Sequence, residues 1–333
     1  MRISSESSAI SSGRNHNYRF AVMITTVISL FAIDMAIGSS GVSLSDIWIT
    51  LTGRMEDPVK KTVIINIRLV KGIVALLAGA ALSVSGLQMQ TLFRNPLAGP
   101  YVLGISAGAS LGVAIVVLAG VGSAFGMVGA AWAGAALVLL LTAAVGRRIR
   151  DIMVILILGM MFSSAATAVI QVLQYLSRDE SLKSFIIWSM GSLGEVTLPQ
   201  LWIILVSVAV GLILALATVK PLNLLLFGEE YAVTMGLDLK RSRFLIFLST
   251  TLLAGSITAF CGPIGFIGLA LPHVTRFMLR DSDHRVLIPA TILCGSSAML
   301  LCDIVAKSLA LPINAVTSLL GIPIVVWVVI RSK

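Results

Sequence analysis

Ten predominantly apolar runs, most of them about 20 residues long, follow one another along the chain, at 19–38, 69–92, 100–119, 125–146, 152–174, 200–219, 242–261, 264–275, 286–306 and 313–330. As α-helix, a run of about 20 residues crosses the ~30 Å hydrocarbon core of a bilayer. The runs are rich in Ala, Leu, Gly and Val and do not alternate at period two, so they suit helices and not the strands of a closed barrel. Charged residues make up 12% of the chain, against roughly 25% in a soluble domain. The expected fold is an all-α integral membrane protein with about ten transmembrane helices per subunit, one membrane domain over residues 1–333.

The first residues are polar and basic, with Arg2, Arg14 and Arg19. The apolar run behind them is longer than the core of a signal peptide, and the rest of the chain is itself embedded. An uncleaved first helix behind a cytoplasmic tail, 1–18, fits better. Cys261, Cys294 and Cys302 lie in apolar runs without metal-ligand spacing, as small core residues do. A net charge of +9 could suit nucleic acid, but the basic residues cluster at the ends of apolar runs, as in membrane proteins. With the N-terminus inside, Arg147-Arg148-Arg150, Lys240-Arg241-Arg243, Arg276-Arg280-Arg285 and Arg331-Lys333 all fall on the cytoplasmic side, and so does the C-terminus.

One segment breaks that rule. Residues 54–71 would lie outside, yet hold Arg54, Lys60, Lys61, Arg68 and Lys71. Either a loop of this size tolerates the charge, or it is a docking surface for an acidic soluble partner.

Two Pro/Gly segments interrupt the helical pattern at membrane depth, Arg94-Asn95-Pro96-Leu97-Ala98-Gly99-Pro100 and Gly262-Pro263-Ile264-Gly265. Backbone groups freed there must be buried in protein or line a cavity. Each follows a small-residue helix, around 79–83 and 254–258, and the two helices run in opposite directions. This suggests an inverted repeat, 69–150 against 242–330, with a pathway near its interface. Segment 221–240 is short, amphipathic and acidic at Glu229-Glu230, and ends in Gly236 and a basic run. It suits a brief cytoplasmic helix lying against a second protein.

These stretches occur in the order found in one family. They are Gln90-Thr91-Leu92-Phe93-Arg94-Asn95-Pro96-Leu97-Ala98, Gly228-Glu229-Glu230 with Gly236-Leu237, and Gly262-Pro263-Ile264-Gly265-Phe266-Ile267-Gly268-Leu269. Leu271-Pro272-His273, Asp283-His284-Arg285-Val286-Leu287-Ile288-Pro289, Asp303-Ile304-Val305-Ala306-Lys307 and Leu311-Pro312-Ile313 follow. Over nearly its whole length the chain resembles the permease subunit of type II ABC importers, the BtuC/FecCD family for vitamin B12 and iron-siderophore or haem complexes.

The resemblance implies a multi-pass subunit of the bacterial inner (plasma) membrane, in contact with lipid. It would form a homodimer, or a heterodimer with a second permease, joined by two cytoplasmic ABC ATPases and a periplasmic or extracellular binding protein. It implies that Gly228, Glu229, Glu230, Ala232, Gly236 and Leu237 form the ATPase-coupling loop. It implies that Arg68, Lys71 and Lys307 dock the binding protein, and that Asn95 and Leu97, with Ile152 and Met153, lie at the pathway gate. The family's Arg-Leu-Pro-Arg reads Arg68-Leu69-Val70-Lys71 here, and the usual small polar residues opening the fifth helix read Ile152-Met153.

No cofactor is expected on this chain, because it has no Gly-x-x-x-x-Gly-Lys-Ser/Thr loop; ATP and Mg belong to the partner ATPase. An iron complex is the expected cargo, since most members of the family carry one, with cobalamin the alternative. An ion-coupled transporter would need a carboxylate near the midplane, and the acids inside spans, Asp34 and Asp303, lie near span ends. An enzyme would need a cluster of chemical groups, but His16, His273 and His284 are far apart in sequence. His273 is expected to satisfy a carbonyl and not to hold a metal, and Asp303 with Lys307 to form an i,i+4 ion pair. No metal site and no nucleic-acid partner are expected.

Overall fold

A computed structural model describes residues 3–38, 43–118, 124–149 and 151–331. Of the basic clusters, Arg2, Arg150 and Lys333 lie outside the described residues, as do the side chains of Arg14, Arg147, Arg148 and Arg331. In chain order the helices are α1 Ile3–Ala36, α2 Leu44–Leu51, α3 Pro58–Thr62, α4 Val70–Leu92, α5 Ile105–Leu118, α6 Ala124–Arg148, α7 Ile152–Leu176 and α8 Asp179–Ser189. They continue with α9 Leu198–Ala217, α10 Val219–Leu225, α11 Glu229–Thr234, α12 Leu239–Thr250, α13 Ser256–Cys261, α14 Ile267–Leu279, α15 His284–Leu309 and α16 Ile313–Arg331. Among the described residues, seven helical segments are long and apolar enough to span a bilayer, and α5, α14 and most of α16 form shorter apolar helices. Together they match the ten runs read from sequence.

Helix α4 is the axis of the bundle. Nineteen of its residues are buried, as expected of a helix that is apolar or small on every side. Small side chains let its neighbours come close, which is how helices pack where lipid removes the hydrophobic drive between them. A Cβ at Gly79 would collide with the backbone of Gly295 in α15, and one at Gly86 with the carbonyl of Gly268 in α14. Hydroxyls stitch the contact: Ser83 Oγ donates to Thr291 O at 3.0 Å and Ser296 Oγ to Leu76 O at 2.9 Å. Gln88, a fully buried amide in the middle of the bundle, is met from three sides. Its Nε2 donates to Thr218 Oγ1 at 3.2 Å, and its Oε1 accepts from Ser249 and Thr250 at 3.1 and 3.2 Å.

The two halves share an order: a long helix, a break, a short helix, a long helix. It runs α4, 93–104, α5, α6 in the first half and α12–α13, 262–266, α14, α15 in the second. Each opening helix also carries a π-helical turn, Val63–Leu69 before α4 and Thr251–Gly255 between α12 and α13. The first π-turn joins α3 to α4, so the second span is continuous from Pro58 to Leu92. The segment 54–71, read from sequence as a loop, is therefore helical from Pro58 onward.

Two ends are distinguished below. The near end carries the start of α1, the end of α4, the turn at 93–97, α10, α11 and the α14–α15 turn. The far end carries the close of α1, the start of α4 and the close of α15.

Candidate functional site

At the near end, the segment 226–238 is built around two glycines with positive φ. Gly228 (φ 103°) stops the α10 turn and starts α11, and Gly236 (φ 82°) closes α11. Leu237 N donates to Ala232 O at 2.9 Å and Gly236 N to Val233 O at 2.9 Å, a glycine-closed helix end. Asp238 then caps α12, its Oδ1 accepting from Arg241 N at 3.1 Å. Of the two glutamates that sequence could not separate, Glu229 turns inward onto the buried Arg243 in a two-oxygen ion pair. Glu230 faces outward. Ala232 is fully buried, whereas Phe227 is 71% exposed and Met235 58% exposed, with Tyr231 and Val233 also outside. The Phe227 and Tyr231 rings pack at 5.4 Å. The result is a small apolar knob with one free carboxylate, anchored from below by Glu229–Arg243.

This knob connects to the turn after α4 through buried polar groups. Asn223, in α10, donates from Nδ2 to Asp283 Oδ1 at 2.7 Å. Its Oδ1 then accepts from the backbone N of His284 at 2.9 Å and lies 2.7 Å from the ring Nδ1. His284 Nε2 is 2.9 Å from Thr91 Oγ1. Arg276 Nη1 donates to Gln90 Oε1 at 2.8 Å, and Gln90 Nε2 to Leu269 O at 2.9 Å. His273 donates from Nε2 to Pro96 O at 2.7 Å, the carbonyl expected for it. In the turn, Arg94 has a left-handed φ of 48° without being glycine, and Asn95 Oδ1 accepts from Leu97 N at 2.9 Å. Outside the spans, Asp283 has its pKa lowered, first by the Arg285 backbone N–H and also by Asn223.

The four residues expected at the gate divide. Leu97 is 45% exposed and Met153 is 42% exposed. Asn95 is half-buried and Ile152 buried, the latter in the first turn of α7, where Asp151 is the cap.

The far end holds charge where sequence suggested a surface. Lys307 Nζ is 2.8 Å from both Asp34 Oδ1 and Asp303 Oδ2, and Lys71 Nζ is 3.0 Å from Asp303 Oδ1. The Asp34 and Asp303 side chains are 0% and 1% exposed, while Lys71 and Lys307 keep 22% and 12%. Two lysines thus meet two carboxylates across α1, α4 and α15. Arg68, buried, donates to Met35 O at 2.8 Å and Ala36 O at 3.2 Å, closing the C-terminal end of α1 where a cation is favoured. The i,i+4 pair of Asp303 and Lys307 was legible in sequence, but its connection to Asp34 and Lys71 was not. Further basic groups at this end, Arg54 and Lys61, are exposed.

A family model described as the FecCD transport family matches residues 24–331. The chain belongs to the FecCD transport family. Among its relatives, the vitamin B12 import system permease protein BtuC of Shigella boydii is 34% identical over 329 residues, covering 96% of this chain and 97% of that protein. BtuC of Salmonella typhi is 36% identical over 319 residues, 93% of each. A solved structure described as an inward-facing conformation of a metal-chelate type ABC transporter superposes with a TM-score of 0.85 at 30% identity, over 95% of this chain and 99% of that one. PsaBC of Streptococcus pneumoniae, in complex with Fab, shares the fold at a TM-score of 0.59 and 19% identity, over 84% of this chain and 94% of that one. The chain is accordingly a multi-pass membrane permease subunit of an ABC importer of the BtuC/FecCD type.

Proposed function

We propose that this permease carries a bulky metal chelate, an iron complex with siderophore or haem, as one of two membrane subunits driven by separate ATPases. The observation that supports it best is the near-end knob. Phe227, Tyr231, Val233 and Met235 expose apolar area on and beside a short helix that has no reason to be apolar in water, with Glu230 at its edge. In this reading the knob seats in a cytoplasmic ATPase, the near end is cytoplasmic with both termini, and Leu97 and Met153 face the gate with Asn95 and Ile152 behind them. Nucleotide on the ATPase and loaded binding protein outside bias the pathway between two global states. The second membrane subunit, the same chain or a homologue, covers the outward face of α7, where Met153, Met160 and Met161 are exposed beside Ser164 and Thr167.

The far end docks the binding protein. Lys71 and Lys307 present the rim of a charge set that is neutral overall, Arg68 fixes the helix end beneath it, and Arg54 and Lys61 add the long-range attraction.

The relatives named for vitamin B12 support a second reading, that the chelate is a corrinoid. Both cargoes are tested together by uptake of labelled ferric siderophore, haem and cobalamin in cells lacking their own permeases. For the mechanism, the permease is co-expressed with the ATPase and reconstituted in nanodiscs, as wild type and as Glu230→Arg. Assembly, stimulation by loaded binding protein and loss of that stimulation in the variant are expected. Transport that follows an ion gradient with no ATPase attached would overturn the proposal.

A further inference from the structure

Arg276 is a guanidinium without an anion. It sits in the last turns of α14, half-buried, and its partners are neutral: Gln90 Oε1 at 2.8 Å and Thr91 Oγ1 at 3.4 Å. Those two contacts use two of its five N–H donors. The carboxylates nearest in sequence are committed elsewhere. Asp281 lies 3.7 Å from His16 and accepts from Asp283 N, and Asp283 accepts from Asn223 and from Arg285 N. Neither Arg276 nor Arg94 makes an ion pair among the described residues. Yet both line the same pocket, about 210 Å³, together with Gln90, Thr91, Ser282 and Leu226. No Asp or Glu is part of its wall.

Arg94 is placed there by geometry that costs energy. Its left-handed φ of 48° is uncommon for a residue with a side chain. Its guanidinium lies against Gly228, where a Cβ would stand 3.4 Å from Nη1. Two guanidiniums, two hydroxyls and an amide thus converge from α4, the turn after it, α14 and the α14–α15 turn. Arg276, a half-buried cation with neutral partners, carries an unmet electrostatic cost, and planar N–H forks match tetrahedral or planar oxyanions.

We propose that this pocket is a binding site for a phosphate-type oxyanion, held by Arg276 and Arg94 with the Ser282 hydroxyl donating at its side. The anion comes either from solution or from the headgroup of an anionic phospholipid, since the chemistry recognised is the same. Bound there, it bridges the 94–97 turn to Leu226 and the start of α11, and so stiffens the junction between the near-end knob and the end of α4. The proposal does not depend on the cargo or on the ATPase.

The test uses the full-length protein in phosphatidylcholine nanodiscs, with inorganic phosphate as probe and chloride at matched ionic strength as control. A saturable rise in unfolding temperature of about 2 °C or more is expected with phosphate, together with saturable equilibrium binding of radiolabelled phosphate. Both are lost in Arg276→Gln and in Arg94→Gln and kept in Arg280→Gln, whose exposed side chain is not part of the wall. If free phosphate has no effect but phosphatidate in the nanodisc gives the rise, and the two variants lose it, the source is the lipid headgroup and the site stands. No response to either anion, or equal responses in wild type and Arg94→Gln, overturns the proposal. Because Arg94 is exposed, that variant remains informative even where Arg276→Gln fails to fold.

Discussion

The two ends of this bundle solve the same problem with different chemistry. At the far end, Asp34, Asp303, Lys71 and Lys307 put four full charges into a largely buried site, two of each sign, and tie α1, α4 and α15 together. At the near end, Asn223, His284, Thr91 and Gln90 link α10, α15 and α4 through neutral groups, with Arg276 left short of an anion. A net-neutral buried charge set is costly to open from one side, because removing one member strands its partner. Neutral hydrogen bonds contribute less each and are exchanged more cheaply. The difference teaches which end is suited to hold and which to rearrange.

The largest effect tests the holding end. Asp303 is the carboxylate that meets both lysines, so Asp303→Ala takes away the carboxylate partner of Lys71 and leaves Lys307 with Asp34 alone. A loss of about 3–5 kcal/mol is expected, read as a lowered midpoint of thermal unfolding in detergent. Asp34→Ala should cost less, since Asp34 meets one lysine where Asp303 meets two. Equal losses from the two would mean that the cluster is not organised around Asp303.

Next comes the rearranging end. Thr91→Val keeps shape but removes the oxygen that His284 Nε2 and Arg276 face. The expected cost is about 1–3 kcal/mol, from leaving buried polar atoms unmet. Thr91→Ser should recover most of it. A valine variant as stable as wild type would show that this relay contributes little, and the contrast between the ends would then be one of charge alone.

Much of this could be read from the chain before folding, and what could not has a common cause. Apolar length fixed the ten spans, Pro/Gly content marked the breaks at 94–100 and 262–265, and the spacing from Gly228 to Gly236 marked the segment that became α11. These are local signals. The roles of Asp34 and Lys71 depend on which helices touch, and α4 reaches α15 only because Gly79 meets Gly295, a pairing that no single stretch announces. The same holds for Glu229 and Glu230, adjacent in sequence but opposite in fate because Arg243 waits beneath one of them. Arg68 read as a surface charge because the helix that carries it begins at Pro58, about three turns earlier than hydropathy alone suggested. Helices α2 and α8, only 8 and 11 residues long, gave no span signal at all.

A third change separates surface from scaffold within the near end. Phe227→Asp lies on an exposed site, so unfolding should shift by no more than about 0.5 kcal/mol. Co-purification with the ATPase should nevertheless fall sharply, because a charge replaces the centre of the apolar knob. Retained assembly would move the partner surface away from Phe227. Loss of stability would mean that the ring pair with Tyr231 belongs to the fold.

The smallest effect is electrostatic and appears only in acid. Asp283 caps α15 and has its pKa lowered below the ordinary 3.8, chiefly by the Arg285 backbone N–H. A carboxylate favoured in the folded state contributes stability above its unfolded pKa and loses that contribution as pH falls through the folded value. Asp283→Asn keeps the cap, since asparagine caps helices as well as aspartate, and it keeps an oxygen for Asn223, so the change isolates the charge. Near neutral pH the variant should unfold at a slightly lower temperature than wild type. On acidification below about pH 4 the gap should close, because wild type gives up what the variant never had. The measurement is a pair of unfolding curves from pH 7 downward. Parallel curves would show that Asp283 acts through hydrogen-bond geometry alone, placing its contact with Asn223 among the neutral contacts that link α10, α15 and α4.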